Sequence, residues 1–266
     1  MNKELYNDEL AILVCSFDKV IDILELWDKY TFRYFKHLNK KYKIYYGLNF
    51  SDKFDSKLIN KNILFSNTLD WGTSMQIWLS QIESKYILIL LDDQLIKKLS
   101  IKKIEIILND ISNENIKFSS ISYGVQIIQK FINKKIIYKG NIPISKYSIN
   151  LQPAIWEKDF LDKLLDNIKN PWEFELKSSK LYKRIFFKSY YYLTKDIVFF
   201  EQYIERGEIY PKRFHKIFKK NYRSLINRNK LRTSRRIWSH IGYIYKLLKE
   251  LFNVLKSFLI NKINYL

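Results

Sequence analysis

Tyr86-Ile87-Leu88-Ile89-Leu90-Leu91-Asp92-Asp93-Gln94 is the stretch that decides the fold. A tyrosine and five aliphatic residues run without a break into two adjacent carboxylates. An apolar run of this length with no period of two fits a strand covered on both faces, as in the middle of an α/β sheet. Asp92 and Asp93 then stand at the strand's C-terminal end, the edge at which open α/β sheets bind ligands. Side chains alternate along a strand, so at most one of the two faces the crevice squarely. The preceding Ser74–Ser84 reads as a helix carrying Met75, Ile77, Trp78, Leu79 and Ile82. The acidic tip has two readings. One is a turn. The other is a site for a divalent cation and a diphosphate, because hard cations take carboxylate oxygens and share their shell with phosphates.

Outward from this stretch, Leu10–Cys15 is a second buried strand, closing in Ser16-Phe17-Asp18. Val20–Phe35 reads as a helix, Tyr42–Gly47 as a strand and Ile63–Phe65 as a short one. Ile101–Ile111 is helical, Lys117–Gly124 a strand, and Val125–Lys139 has isoleucines spaced as in a hairpin. A strand ending at Pro153 leads into a helix from Glu157 to Asn167. Asn170-Pro171-Trp172-Glu173-Phe174-Glu175 reads as a loop, since Asn-Pro favours turn initiation. Strands alternating with helices predict an α/β fold with a mostly parallel central sheet flanked by helices. The 6 glycines form neither G-x-G-x-x-G nor a P-loop, which argues against a dinucleotide-binding Rossmann enzyme and a P-loop NTPase. The single cysteine, Cys15, sits in an apolar run, so no disulfide framework exists within the chain. With no hydrophobic leader and no long uncharged apolar stretch, the expected compartment is a reducing cytoplasm.

Charge divides the chain. Pro211–Leu266 holds 15 Lys or Arg against Glu250 alone, a net +14 out of +20. From Ser234, the residues Ile237, Ile241, Ile244, Leu248, Leu251, Leu255 and Phe258 recur every three or four positions, which predicts one apolar helical stripe. Trp238, Lys246, Lys249 and Lys256 flank it, a pattern suited to an anionic membrane surface. The expected division is therefore residues 1–210 as an α/β domain and 211–266 as a basic amphipathic helical segment, membrane-bound or self-packing.

Three stretches together carry a resemblance. They are Leu91-Asp92-Asp93 after its strand, Gln152-Pro153-Ala154-Ile155-Trp156-Glu157-Lys158-Asp159-Phe160, and Pro171-Trp172-Glu173-Phe174-Glu175. Over roughly residues 10–200 the chain resembles bacterial GT-A-type, family-2-like glycosyltransferases of capsule, O-antigen and lipooligosaccharide synthesis. The resemblance implies transfer of a sugar from a nucleotide-sugar donor to a glycan or glycolipid acceptor, at the inner face of the cytoplasmic membrane. It places Ser16 and Asp18 at the nucleoside, with Asp92 and Asp93 at the diphosphate. Asp93 would face Mg or Mn. Gln152, Trp156 and Trp172 would border sugar or acceptor. Glu173 or Glu175 would take the acceptor's proton, and Pro171 and Trp172 beside it favour Glu173. The acidic element reads Asp-Asp-Gln where the family has Asp-x-Asp. A nucleic-acid-binding protein using the basic segment, and a non-catalytic scaffold of the same fold, are the alternatives. Nucleic acid is not the expected partner, since no recognised motif for it is present.

Overall fold

The computed structural model describes residues 9–16, 21–35, 38, 41–50, 58, 62–121, 137–142, 144, 146–185, 187–193, 197–202, 204–205, 208–209 and 232–233. The first half runs β1 (Leu10–Cys15), α1 (Ile21–Phe35), β2 (Ile44–Leu48), β3 (Ile63–Phe65), α2 (Trp71–Ser80), β4 (Tyr86–Leu91), β5 (Gln94–Leu99), α3 (Ile101–Glu114) and β6 (Phe118–Ser120). The second runs β7 (Tyr138–Asn141), β8 (Ala154–Glu157), α4 (Lys158–Leu164), α5 (Pro171–Ile185), β9 (Ser189–Leu193) and β10 (Val198–Gln202). Three two-residue strands follow: β11 (Ile204–Glu205), β12 (Glu208–Ile209) and β13 (Arg232–Thr233).

Eight strands form one sheet in the order β3-β2-β1-β4-β8-β6-β9-β7. The first four are mutually parallel, and their register sets Cys15 opposite Leu91. The next strand, β8, is antiparallel to both of its neighbours, β4 and β6. Beyond it β6 and β9 are parallel and β7 is antiparallel. The sheet is therefore mixed, where alternation of strands and helices predicts a mostly parallel one. The cause is β8, which starts at Ala154 opposite Ile89 and runs back along β4.

Every residue of β1 is buried, and the pleat explains why. Leu10, Ile12 and Val14 join Ile23, Leu24 and Trp27 of α1 and Ile104, Ile107 and Leu108 of α3. Ala11, Leu13 and Cys15 join Met75 and Trp78 of α2, Leu161 of α4 and Phe174 of α5. So α1 and α3 cover one face, and α2, α4 and α5 cover the other. β4 divides in the same way, with Leu88 and Leu90 on the first face and Ile87 and Ile89 on the second. Truncating such a side chain to alanine costs about 2–5 kcal/mol.

Two local readings are corrected. Residues 171–175 are the first turn of α5, not a loop. The Asn170 side-chain oxygen accepts from the Glu173 amide at 2.9 Å, and its carbonyl accepts from the Phe174 amide at 3.1 Å. Asn170 thus caps a helix whose first residue is Pro171, where a missing N–H costs nothing. Likewise Pro153 does not end a strand but precedes β8. The hairpin expected over 125–139 lies outside the described residues apart from its last three, of which Tyr138 and Lys139 open β7. The amphipathic stripe over 237–258 lies wholly outside them.

Candidate functional site

Strand order reverses between β1 and β4. β2 and β3 lie on one side of β1, while the chain resumes at β4 on the other. A crevice outside the carboxyl ends of the strands is expected at such a switch point. Ser16 follows β1 and Asp92 follows β4, one step beyond the Cys15–Leu91 pair. The Ser16 hydroxyl donates to Asp92 Oδ2 at 2.5 Å, the Asp92 amide donates to the Cys15 carbonyl at 3.3 Å, and the Ser16 amide donates to the Gly47 carbonyl at 3.1 Å. All four parallel strands end on a buried polar residue: Ser16, Asn49, Ser66 and Asp92. Asn49 Nδ2 donates to the Thr68 carbonyl at 2.6 Å, and the Ser66 and Ser74 hydroxyls lie 2.9 Å apart. These bonds hold the β2 and β3 ends of the edge to the start of α2.

The two aspartates differ. Asp92 is only 8% exposed, and burial pushes its carboxyl up from 3.8 to about 6, against the Ser16 bond and backbone amides that favour the charged form. Asp93 is more open. Both lie in the turn between β4 and β5, as the plainer of the two readings of the acidic tip has it, with Asp92 buried and Asp93 half-buried. The thiol of Cys15 is buried and pushed up by burial and then by Asp92, so it is inert.

The segment before β8 reaches the same edge. Because β8 runs antiparallel from Ala154 opposite Ile89, residues 151–153 lie beside the end of β4. Gln152 is exposed there. The Leu151 amide donates to Glu175 Oε1 at 2.9 Å, which draws Glu175 of α5 to this edge. Glu175 is half-buried, and its pKa is raised, chiefly by that burial. Glu173 is otherwise engaged. It accepts from the Lys169 amide and pairs with Lys177, both at 2.8 Å, and these hold its pKa down.

The structure thus brings Ser16, Asp92, Asp93, Gln152 and Glu175 to one edge. It does not bring Trp156, which is fully buried against Phe118 at a centroid distance of 4.3 Å and Phe174 at 5.7 Å. Trp156 is core, not a sugar platform. Trp172 is 55% exposed on α5. Asp18, Trp238, Lys246, Lys249 and Lys256 lie outside the described residues. Sequence reasoning missed Asn49, Ser66 and Ser74. The signal for the first two was present, since each follows the last apolar residue of its strand, as Ser16 and Asp92 do.

No family model matches the sequence, and no curated protein matches it. Solved structures do. A cytidylyltransferase from Leptospira borgpetersenii serovar Hardjo-bovis superimposes with TM-score 0.42 at 12% identity, over 87% of this chain and 99% of that one. CMP:2-keto-3-deoxy-manno-octonic acid synthetase, complexed with CTP, gives 0.41 at 7%, over 69% and 88%. S. aureus TarS 1–349 gives 0.40 at 11%, over 70% of this chain and 60% of that one. Likenesses this distant carry no argument about activity, which rests on the residues of the edge.

Among the described residues, no group of three His, Cys, Asp or Glu side chains gathers to hold a metal unaided. What the tip does offer is the half-buried carboxylate of Asp93, with Oδ1 turned inward, beside the anchored Asp92. That donor set fits magnesium or manganese only where phosphate oxygens and water complete the shell.

Proposed function

We propose that the chain is a nucleotide-sugar-dependent glycosyltransferase, moving a sugar to a hydroxyl of a lipid-linked surface-glycan acceptor. The carrying observation is the Ser16–Asp92 hydrogen bond across the β1–β4 switch point, which leaves Asp93 at the edge shared with Glu175. Ser16 acts through Asp92: it holds that carboxylate inward and so fixes the backbone that presents Asp93. Asp18, two residues after Ser16 in sequence, keeps the nucleoside-binding role that the resemblance implies. A bare Asp93 repels a diphosphate, whereas a divalent cation between the two inverts the sign of that interaction. When bound, magnesium or manganese supplies neutralisation of the charge left on the departing nucleoside diphosphate.

Glu175 is the base in this reading. A carboxylate kept partly dry has a raised pKa and so a stronger pull on a hydroxyl proton. As the acceptor oxygen bonds to the anomeric carbon, the bond from that carbon to the diphosphate oxygen breaks. The acceptor proton passes to Glu175, and the electron pair leaves with the nucleoside diphosphate. Gln152, exposed beside Glu175, lies on the acceptor side.

The test is a thermal-shift screen of the full chain against UDP-, GDP-, CMP- and dTDP-sugars, with and without manganese. A donor at one hundred times its Kd adds about 2.7 kcal/mol of apparent stability. Asp93→Ala should remove that shift while keeping the unliganded melting temperature. If no sugar nucleotide stabilises the wild type, or if folded Asp93→Ala responds fully, the reading fails.

A further inference from the structure

Helix α5 has a second face that the edge does not use. Phe174, Ser178, Ser179 and Tyr182 are buried against the domain. On the opposite side Trp172 is 55% and Leu176 38% exposed, one turn apart. Lys180, Lys183 and Arg184 continue that side and are exposed. Lys177, also exposed, is paired with Glu173, and the nearest exposed acid before the helix, Asp166, accepts from Gln76 Nε2 at 3.1 Å. Among the described residues no side-chain hydrogen bond or ion pair engages Lys180, Lys183 or Arg184. A large aromatic and a leucine standing in water, continued by three cations along one helical face, form an apolar knob with a basic extension.

We propose that this face of α5 is a membrane-docking surface of the α/β domain, with Trp172 and Leu176 entering the interfacial region and Lys180, Lys183 and Arg184 meeting anionic headgroups. The partner follows from the chemistry. A tryptophan has an apolar body and one polar N–H, which suits the bilayer interface. Basic residues near an anionic bilayer each add attraction to it. The surface differs from the C-terminal segment and does not depend on the transfer reaction. Its position adds a consequence. Trp172 and Glu175 lie within the first turn and a half of α5, and Glu175 reaches the edge through Leu151. Docking by this helix therefore holds the edge close to the membrane surface.

The experiment is flotation of the full chain with vesicles of phosphatidylglycerol and phosphatidylcholine in equal parts, against vesicles of phosphatidylcholine alone. Wild type should float with the first and far less with the second. The triple variant Lys180→Gln, Lys183→Gln, Arg184→Gln should weaken partitioning about a hundredfold, at roughly fivefold per cation lost. Separately, Trp172→Phe should remove a large part of the tryptophan quenching that brominated lipid causes in wild type. Glutamine suits an exposed helix, and phenylalanine keeps the apolar ring. Far-ultraviolet circular dichroism then confirms folding. Unchanged partitioning of the folded triple variant overturns the proposal, as does unchanged brominated-lipid quenching in Trp172→Phe. Two further outcomes also overturn it. In one, the triple variant loses affinity for duplex DNA but not for vesicles. In the other, sedimentation shows a dimer that Trp172→Ala dissociates while vesicle binding stays intact.

Discussion

Asp92 and Asp93 share chemistry and a place in sequence, yet the turn between β4 and β5 buries the first more deeply than the second. For Asp92 the cost of burial has a definite sign. Below the ordinary carboxylate value of 3.8 both folded and unfolded states hold the proton, and burial costs nothing. Between 3.8 and about 6 the unfolded chain ionises while the folded one keeps its proton, so stability falls as pH rises. Above that window the loss levels off at about 3 kcal/mol at most. Asp92→Asn has no such carboxylate. Its melting temperature should exceed that of wild type by a margin that grows from pH 4 to pH 7, read by calorimetry at matched ionic strength. A margin independent of pH would mean that Asp92 is not buried as a charge. The glutamates give a second contrast. Glu175→Gln should lower turnover by about 10²–10⁴, the contribution of a positioned base. Glu173→Gln should stay near the wild-type rate, because that side chain serves the start of α5. The wild-type rate should climb with pH through the raised Glu175 pKa and then flatten, and Glu175→Gln should lack that limb. A Glu173→Gln enzyme as slow as Glu175→Gln would reverse the assignment.

At the scale of elements, legibility followed burial. β1 and β4 were readable because both faces are covered, so Leu10–Cys15 and Tyr86–Leu91 had to be uniformly apolar. β5 was not, because Lys97 and Lys98 interrupt it and its partner, β10, lies about a hundred residues away in sequence. α5 was misread at its cap: Asn170-Pro171 opens a turn or a helix equally well, and only the period of Phe174, Ser178 and Tyr182 tells them apart. The physical ground for separating Glu173 from Glu175 is the helix, which sets residues i and i+2 about 200° apart, whereas an extended chain would put both on one face. The edge itself was half legible. Ser16 and Asp93 followed from strand ends, but Trp156 was drawn in by a motif although its place is in the middle of β8. The junction of α2 with the start of α5 gives a test at this scale. A Cβ on Gly72 would stand 2.1 Å from the Ile168 carbonyl oxygen, a backbone atom that cannot swing away. Trp71 meets Phe174 at the same junction, at 5.7 Å. Gly72→Ala should therefore cost about 1–3 kcal/mol by overpacking, despite alanine's better helix propensity. Urea denaturation measures it, and a stabilised variant would contradict the close approach.

Across the whole molecule the question is where the α/β domain ends. Charge alone divides the chain at residue 210, with +14 beyond it. Strand pairing continues past that point: β13 at Arg232–Thr233 lies parallel to β12 at Glu208–Ile209, which in turn pairs with β11. Ending the chain at Tyr210 removes β13 and leaves one edge of β12 open, a template for pairing with other chains. Ending it after Thr233 keeps the three-stranded sheet and removes the whole stripe from Ile237 to Phe258. We therefore expect the chain ended after Thr233 to be monomeric at concentrations where the chain ended at Tyr210 self-associates, as sedimentation velocity would show. The longer of the two should also keep its thermal shift with the sugar nucleotide that stabilises the full chain, since Ser16, Asp92, Asp93, Gln152 and Glu175 all precede the cut. The rival arrangement forecasts the reverse. A stripe that packs on the α/β domain would leave an apolar surface bare when removed, and the chain ended after Thr233 would then aggregate or lose its response to the donor.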